Sequence, residues 1–84
     1  MTIATELGAR LQAAFAPERL EIHDDSEKHR GHAGWRETGE THFTVILRAP
    51  ALAAMSRLAR HRAVHAALGP DLVGRIHALA LDLG

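Results

Sequence analysis

The chain has no cysteine among its 84 residues, and it is poor in aromatic side chains, with two phenylalanines, one tryptophan and no tyrosine. Without thiols it can form no disulfide, no thiolate zinc site and no cysteine nucleophile. A core with so few aromatic rings must be built from leucine, isoleucine, valine and alanine. The hydrophobic fraction of 46% still excludes wholesale disorder.

The sequence also lacks the charged-then-apolar start of a signal peptide, and it has no apolar run near the ~18 residues that a membrane helix needs. We therefore expect a cytoplasmic protein that makes no membrane contact. A chain of 84 residues can bury one small core and not two, so a single domain over residues 1–84 is predicted.

The formal net charge is zero, which argues against a protein whose main task is to bind phosphate backbones. The charges are uneven, because residues 1–40 carry eight acids and five bases (−3) and residues 41–84 carry two acids and five bases (+3). Four arginines and no carboxylate lie between Arg48 and Leu68. This segment is either the solvated side of a helix or a surface for an acidic partner or nucleic acid.

Apolar periodicity predicts two elements before residue 24. The first is an amphipathic helix with Thr2 as N-cap, ended by Pro17, whose apolar residues recur every four positions as Ile3, Leu7, Leu11 and Phe15. The second is a short strand over residues 20–23, in which apolar and polar side chains alternate.

The second half of the chain predicts three further elements. Alternation over residues 41–47 indicates a second strand, and helical spacing runs from Pro50 to a Gly69-Pro70 stop, with a break expected near Ser56. Residues 71–74 read as a connector, and residues 76–83 read as an uninterrupted buried strand.

The order α-β-β-α-β predicts an α+β fold, a two-layer sandwich with a three-stranded mixed sheet. The first two strands are expected to pair antiparallel, since one directly follows the other. The strand–helix–strand unit requires a crossover, which makes the third strand parallel to the second.

The segment from Asp24 to Glu40 has no periodicity and is rich in charge, glycine and histidine, so it is predicted to be a loop. A loop of this length costs ordering entropy without burying apolar surface, and ordered loops of this kind tend to be functional. We expect the part of it between Asp25 and Gly39 to be the least ordered part of the isolated protein.

Seven histidines are a high number for this length, but no H-E-x-x-H or comparable spacing occurs, which argues against a dedicated zinc site. The Gly31-x-x-Gly34 string resembles the RNA clamp of KH domains, yet it lies between two strands and among acids. Ser26, Asp25 and His29 are too close in sequence to form a catalytic triad. His77 and the upstream stretch S-E-K-H-R-G-H instead suggest one site built from two distant segments.

Four stretches in this order resemble the BolA family: L-E-I-H-D-D-S-E-K-H-R-G-H-A-G from Leu20, G-E-T-H-F-T-V from Gly39, R-H-R-A-V-H-A-A-L from Arg60 and I-H-A-L-A-L from Ile76. The resemblance implies a small fold similar to class II KH domains with a helix-turn-helix-like centre. It also implies monothiol glutaredoxins as partners, with which such proteins share a 2Fe-2S cluster. The resemblance also implies a role in transcription, in the response to stress and in cell morphology, which has been attributed to the family as well.

The family's motifs fall on specific residues of this chain. Its variable His-or-Cys loop position matches His29, with His32 as a substitute, and its C-terminal ligand matches His77. The R-H-R of the signature helix matches Arg60 to Arg62, so a partner or nucleic-acid surface is expected at Arg57, Arg60, His61 and Arg62. The chain departs from the family at Pro50-Ala-Leu52, where an aromatic residue is usual.

A 2Fe-2S cluster needs four ligands, usually thiolates, and two histidines can replace two cysteines on one iron. Because this chain has no cysteine, the resemblance implies that a glutaredoxin cysteine and glutathione complete the cluster and that the isolated protein holds none. The leading hypothesis is thus a non-enzymatic adaptor in iron–sulfur trafficking, a monomer or weak homodimer when alone. The alternatives are a DNA-binding regulator that uses the basic segment and an isolated metal-storage or zinc protein.

Overall fold

The computed structural model describes residues 2–25 and 42–84. In these ranges the chain forms α1 (Ile3–Phe15), β1 (Arg19–Asp24), β2 (His42–Arg48), α2 (Pro50–Ala53), α3 (Arg57–Leu68), α4 (Pro70–Gly74) and β3 (Ala78–Leu83). The strands form one sheet in the order β1-β2-β3, with β1 antiparallel and β3 parallel to β2. The predicted α+β class and both predicted strand pairings are confirmed.

The first helix begins and ends where the sequence predicts. The Thr2 side chain accepts a hydrogen bond from the backbone N–H of Thr5 (3.1 Å), which caps α1. The helix stops at Phe15, because Ala16 adopts a left-handed conformation (φ 43°) and Pro17 cannot continue the backbone hydrogen bonds.

The sheet is covered by the helices on one face only. Phe43, Val45 and Leu47 of β2 are buried and pack with α1, α3 and α4 side chains in one core. Strand register places on the same face the half-buried apolar residues Leu20, Ile22, Leu79, Leu81 and Leu83. The opposite face carries the alternate residues of the strands, which in β2 include His42, Thr44 and Ile46, as the alternation in β2 predicts.

The break expected near Ser56 is present and divides the helical stretch into α2 and α3. The Ser56 side chain accepts from the backbone N–H of Ala59 (3.1 Å) and so caps α3. The Arg60 guanidinium donates to the carbonyls of Leu52 (2.8 Å) and Ala53 (3.1 Å), which ties the end of α2 to α3. None of the helices in the described ranges is long and apolar enough to cross a membrane.

Residues 71–74, predicted as a connector, instead lie in the short helix α4. Gly69 has φ 82°, a left-handed value that favours glycine, so α3 ends there and Pro70 opens α4. The prediction was wrong because one helical turn is too short to show a period. Leu72 is fully buried, and it fixes α4 against the core.

The predicted third strand, residues 76–83 and buried throughout, is longer and more buried than the observed strand β3. It begins at Ala78 rather than Ile76, so His77 precedes the strand instead of opening it. Its residues alternate between exposed and half-buried. The physical reason is that β3 lies at the edge of the sheet with helices on one face, and its outer face therefore remains open.

Candidate functional site

His77 lies at one end of the sheet, one residue before β3, and its side chain is exposed. The ring centroids of His77 and His42 are 5.2 Å apart, with the ring planes inclined by 58°. An exposed imidazole can coordinate a metal ion or cluster that another molecule carries. The structure thus leaves the predicted C-terminal ligand accessible.

His42 is the first residue of β2 and is only 5% exposed, which makes it the one buried polar side chain of the described ranges. It pairs with Ala78 across the parallel β2–β3 ladder, and this register brings it beside His77. No motif in the sequence singles out His42. The predicted parallel pairing was the signal that would have placed it next to His77.

The same end of the sheet holds both stems of the segment 26–41. The backbone N–H of Asp25 donates to the carbonyl of His42 (2.7 Å), and the Thr44 hydroxyl donates to the Asp25 carboxylate. Asp25 and His42 are therefore held together next to His77. His29 and His32, the predicted loop ligands, lie outside the described residues. The prediction that this loop is the least ordered part of the protein also concerns residues outside the described ranges.

The described residues do not form a self-contained metal site. Across 2–25 and 42–84, no group of three or more histidine, cysteine, aspartate or glutamate side chains is arranged to hold a metal ion. His77 and His42 provide two imidazoles, one accessible and one buried. Any metal or cluster held at this end of the sheet needs ligands from another segment or another molecule.

The predicted partner surface divides into different environments. Arg57 and Arg62 are exposed on α3, whereas the Arg60 guanidinium is already bonded to backbone carbonyls. An open depression of about 380 Å³ lies between α3 and β3 and is lined by Arg57, Arg60, His61, Leu81, Asp82 and Leu83. Three of the four predicted surface residues thus line one depression, and Arg62 lies beyond it.

Charge pairs on the open face of the sheet account for the other cations near β1 and β3. Arg48 donates to the Asp82 carboxylate (2.9 Å) across β2 and β3. The Glu21 carboxylate accepts hydrogen bonds from Arg19 and His23, and both lower the pKa of this carboxyl from its ordinary value of 4.5. The effect of Arg19 is the larger. Arg19 and Arg48 are thus each paired with a nearby carboxylate. Arg57 differs from them, because the described ranges provide no carboxylate partner for it.

Comparison with known proteins matches residues 11–84 to the family described as BolA-like protein. The chain is 40% identical over 80 residues to BolA-like protein 1 of Mus musculus, covering 95% of this chain and 56% of that protein. It is 37% identical over 81 residues to the DNA-binding transcriptional regulator BolA of Escherichia coli, covering 96% of this chain and 73% of the regulator. The chain thus spans little more than half the length of its mouse relative.

Solved structures agree with the sequence comparison. The fold superimposes on BolA1 from Arabidopsis thaliana with a TM-score of 0.82 at 33% identity, over 99% of this chain and 90% of that structure. By sequence and by fold, the chain belongs to the BolA-like family.

Proposed function

We propose that this protein is an adaptor in iron–sulfur trafficking that binds a monothiol glutaredoxin and contributes His77 and a loop histidine to a shared 2Fe-2S cluster. His29 is the proposed loop ligand, with His32 as its substitute. The glutaredoxin cysteine and glutathione supply the remaining ligands. The adaptor catalyses no reaction, and the cluster is its cargo.

The observation that carries this proposal is the position of the exposed His77 at the sheet end from which the segment 26–41 departs and to which it returns. His29 follows Asp25 by four positions, a span of at most about 14 Å in an extended chain. His77 and His29 are thus within reach of a common site, although 48 positions separate them in sequence.

The donor set of the chain supports a shared site over a private one. Histidine nitrogens are suitable ligands for one iron of a 2Fe-2S cluster when thiolates hold the other. This chain offers histidines and no thiolate. A 2Fe-2S cluster with histidine ligands on one iron therefore requires a partner that supplies the thiolates.

The test is anaerobic reconstitution of the protein with a monothiol glutaredoxin, glutathione, iron and sulfide. We expect visible absorption and circular dichroism spectra that differ from those of the glutaredoxin cluster alone, together with a stable 1:1 complex. Spectra that equal the sum of the separate components would contradict the proposal. Tight stoichiometric zinc binding without any partner would favour the zinc alternative instead.

A second candidate function, a DNA-binding regulator, is favoured by the 37% identity to the Escherichia coli protein of that name and by the exposed Arg57 and Arg62 on α3. Binding that uses these cations must weaken as salt rises, because counterions are released from the phosphates. Titration of a DNA duplex at several salt concentrations tests this function. A slope near zero, or equal affinity for unrelated sequences, would exclude a sequence-specific regulator.

A further inference from the structure

Within residues 2–25 and 42–84, no strand pairs with the long edge of β3 that faces away from β2, and this edge lies next to the depression beside α3. Gly84, directly after β3, directs both of its backbone groups toward β2 and the residue that follows it, since its N–H donates to the Leu47 carbonyl (3.0 Å) and its carbonyl accepts from the Ala49 N–H (3.0 Å). In a parallel pair, alternate residues of a strand bond to the neighbour and the residues between them face away. The backbone groups of Leu81 and Leu83 therefore face the outer edge.

One contact confirms this direction. Arg60, which reaches across from α3, approaches the Leu83 carbonyl at 3.4 Å. A carbonyl that bonded to β2 would not be accessible from that side. Within the described ranges β3 pairs with β2 alone, so the Leu81 N–H, the Leu81 carbonyl and the Leu83 N–H can pair with a further strand, whereas the Leu83 carbonyl already accepts from Arg60.

The side chains along this edge differ in charge between the two faces. On the helix side, Arg57, Arg60 and His61 line the depression together with the half-buried Leu81 and Leu83. Asp82 also lines the depression, but its carboxylate is paired with Arg48 (2.9 Å), so Arg57 and Arg60 give the depression its net positive charge. A strand added at the edge would place alternate side chains toward the cationic helix side and the rest toward the open side.

We propose that the β3 edge and the depression beside α3 bind an extended acidic peptide segment of a partner protein by strand addition. Backbone hydrogen bonds to Leu81 and Leu83 would give affinity, and Arg57 and His61 would select glutamate or aspartate at every second position. The depression of about 380 Å³ falls within the usual size range of binding pockets, roughly 300–1,000 Å³.

Charge decides between this occupant and a second copy of the chain. Pairing of two β3 edges would bring two sets of Arg57 and Arg60 next to each other, and like charges across a strand pair are destabilising. An acidic strand removes this repulsion. The proposal is separate from the shared cluster, because it uses neither His77 nor the segment 26–41.

The probe is a fluorescein-labelled, end-capped octapeptide of alternating valine and glutamate, with an alternating valine–lysine octapeptide as its control. We expect saturable anisotropy with the glutamate peptide and at least about tenfold weaker binding of the lysine peptide, a difference of about 1.4 kcal/mol. In ¹⁵N NMR spectra, the amides of Leu81 and Leu83 should shift and become protected from exchange. Failure of both peptides to bind, or equal binding, would overturn the proposal.

The matched variants are Arg57→Glu, which reverses a charge lining the depression, and Arg62→Glu, which reverses an exposed charge on the same helix outside it. We expect the first to weaken binding of the glutamate peptide at least about fivefold and the second by less than about twofold. Equal losses would indicate general charge attraction and refute a specific site. A peptide-free dimer in light scattering, with the Leu81 and Leu83 amides protected, would assign the edge to a second copy and also refute the proposal.

Discussion

The rings of His42 and His77 lie 5.2 Å apart at one end of the sheet, yet they differ in accessibility, since His42 is 5% exposed and His77 is open to solvent. The two histidines are brought together by the parallel pairing of β2 with β3. Their difference in burial divides the roles. His77 is the side chain that another molecule can reach, and His42 is the buried side chain beside it.

The first prediction is that His77→Ala abolishes the spectrum of the shared cluster while some association with the glutaredoxin remains. The variant removes an accessible imidazole, and the strand that follows it keeps its backbone hydrogen bonds. Reconstitution followed by circular dichroism and by size-exclusion chromatography measures the two effects separately. The control is His65→Ala, which removes an exposed histidine that lies on α3, and it should leave the spectrum unchanged. An unchanged spectrum for His77→Ala would rule out His77 as a ligand.

For His42 we predict mainly a loss of stability. Its nearly complete burial means that His42→Ala leaves a small cavity and disturbs packing where the two loop stems meet, at a cost of about 1–2 kcal/mol in the free energy of unfolding. Urea denaturation measures this cost. The shared cluster should still form, with a spectrum close to that of the unaltered protein. Complete loss of the cluster in a folded His42→Ala protein would instead make His42 a ligand.

The loop histidines are predicted to contribute less than His77. A ligand on a loop must be ordered when it binds, which costs about 1–2 kcal/mol for each residue fixed. We therefore expect His29→Ala to shift the cluster spectrum or weaken the complex without eliminating it, because His32 can take its place. The double variant His29→Ala/His32→Ala should lose the shared spectrum. If His32→Ala alone has the larger effect, His32 rather than His29 is the principal loop ligand.

The sequence could predict those features that depend on local periodicity. The cap at Thr2, the break at Ser56 and the buried face of β2 all follow from residue types at short spacing, and all are present in the structure. The helix α4 could not be predicted in this way, because a single turn has no period. The open face of β3 was missed because the apolar Ala78 and Ala80 made the strand read as continuous, although they lie on its exposed side.

The site was predictable only in part for a similar reason. The family motif identifies His77 as a candidate, but nothing local to His42 indicates that its ring lies beside that of His77. Likewise, the R-H-R motif suggests three equivalent surface groups. In the structure, the Arg60 guanidinium donates to the carbonyls that end α2, and the side chains of His61 and Arg62 do not have this role. Contacts between distant segments fix these roles, and the spacing of residues along the chain does not reveal them.

Two leucines of α3 provide a test of the core. Leu68 is fully buried and Leu58 is 59% exposed, although both are leucines in the same helix. We expect Leu68→Ala to lower the free energy of unfolding by about 2–5 kcal/mol, because it removes buried methyl groups and leaves a cavity. Leu58→Ala should change it by less than about 0.5 kcal/mol. Urea unfolding monitored by circular dichroism compares the two, and similar losses would show that the helix is oriented differently.

The last prediction concerns Glu21 on the open face of the sheet. Arg19 first, and then His23, hold the pKa of the Glu21 carboxyl below 4.5 through hydrogen bonds to the carboxylate. A carboxyl whose pKa is lowered in the folded protein adds stability above its unfolded pKa, and this stability is lost as the pH falls through the lower, folded pKa. Arg19→Ala should therefore raise the pKa of Glu21 toward 4.5, and His23→Ala should raise it by less. NMR titration of the Glu21 side-chain carboxyl carbon measures both shifts. In urea unfolding, the stability difference between the unaltered protein and Arg19→Ala should be present at neutral pH and shrink below pH 4.5, and a difference that stays constant through this range would contradict the assigned cause.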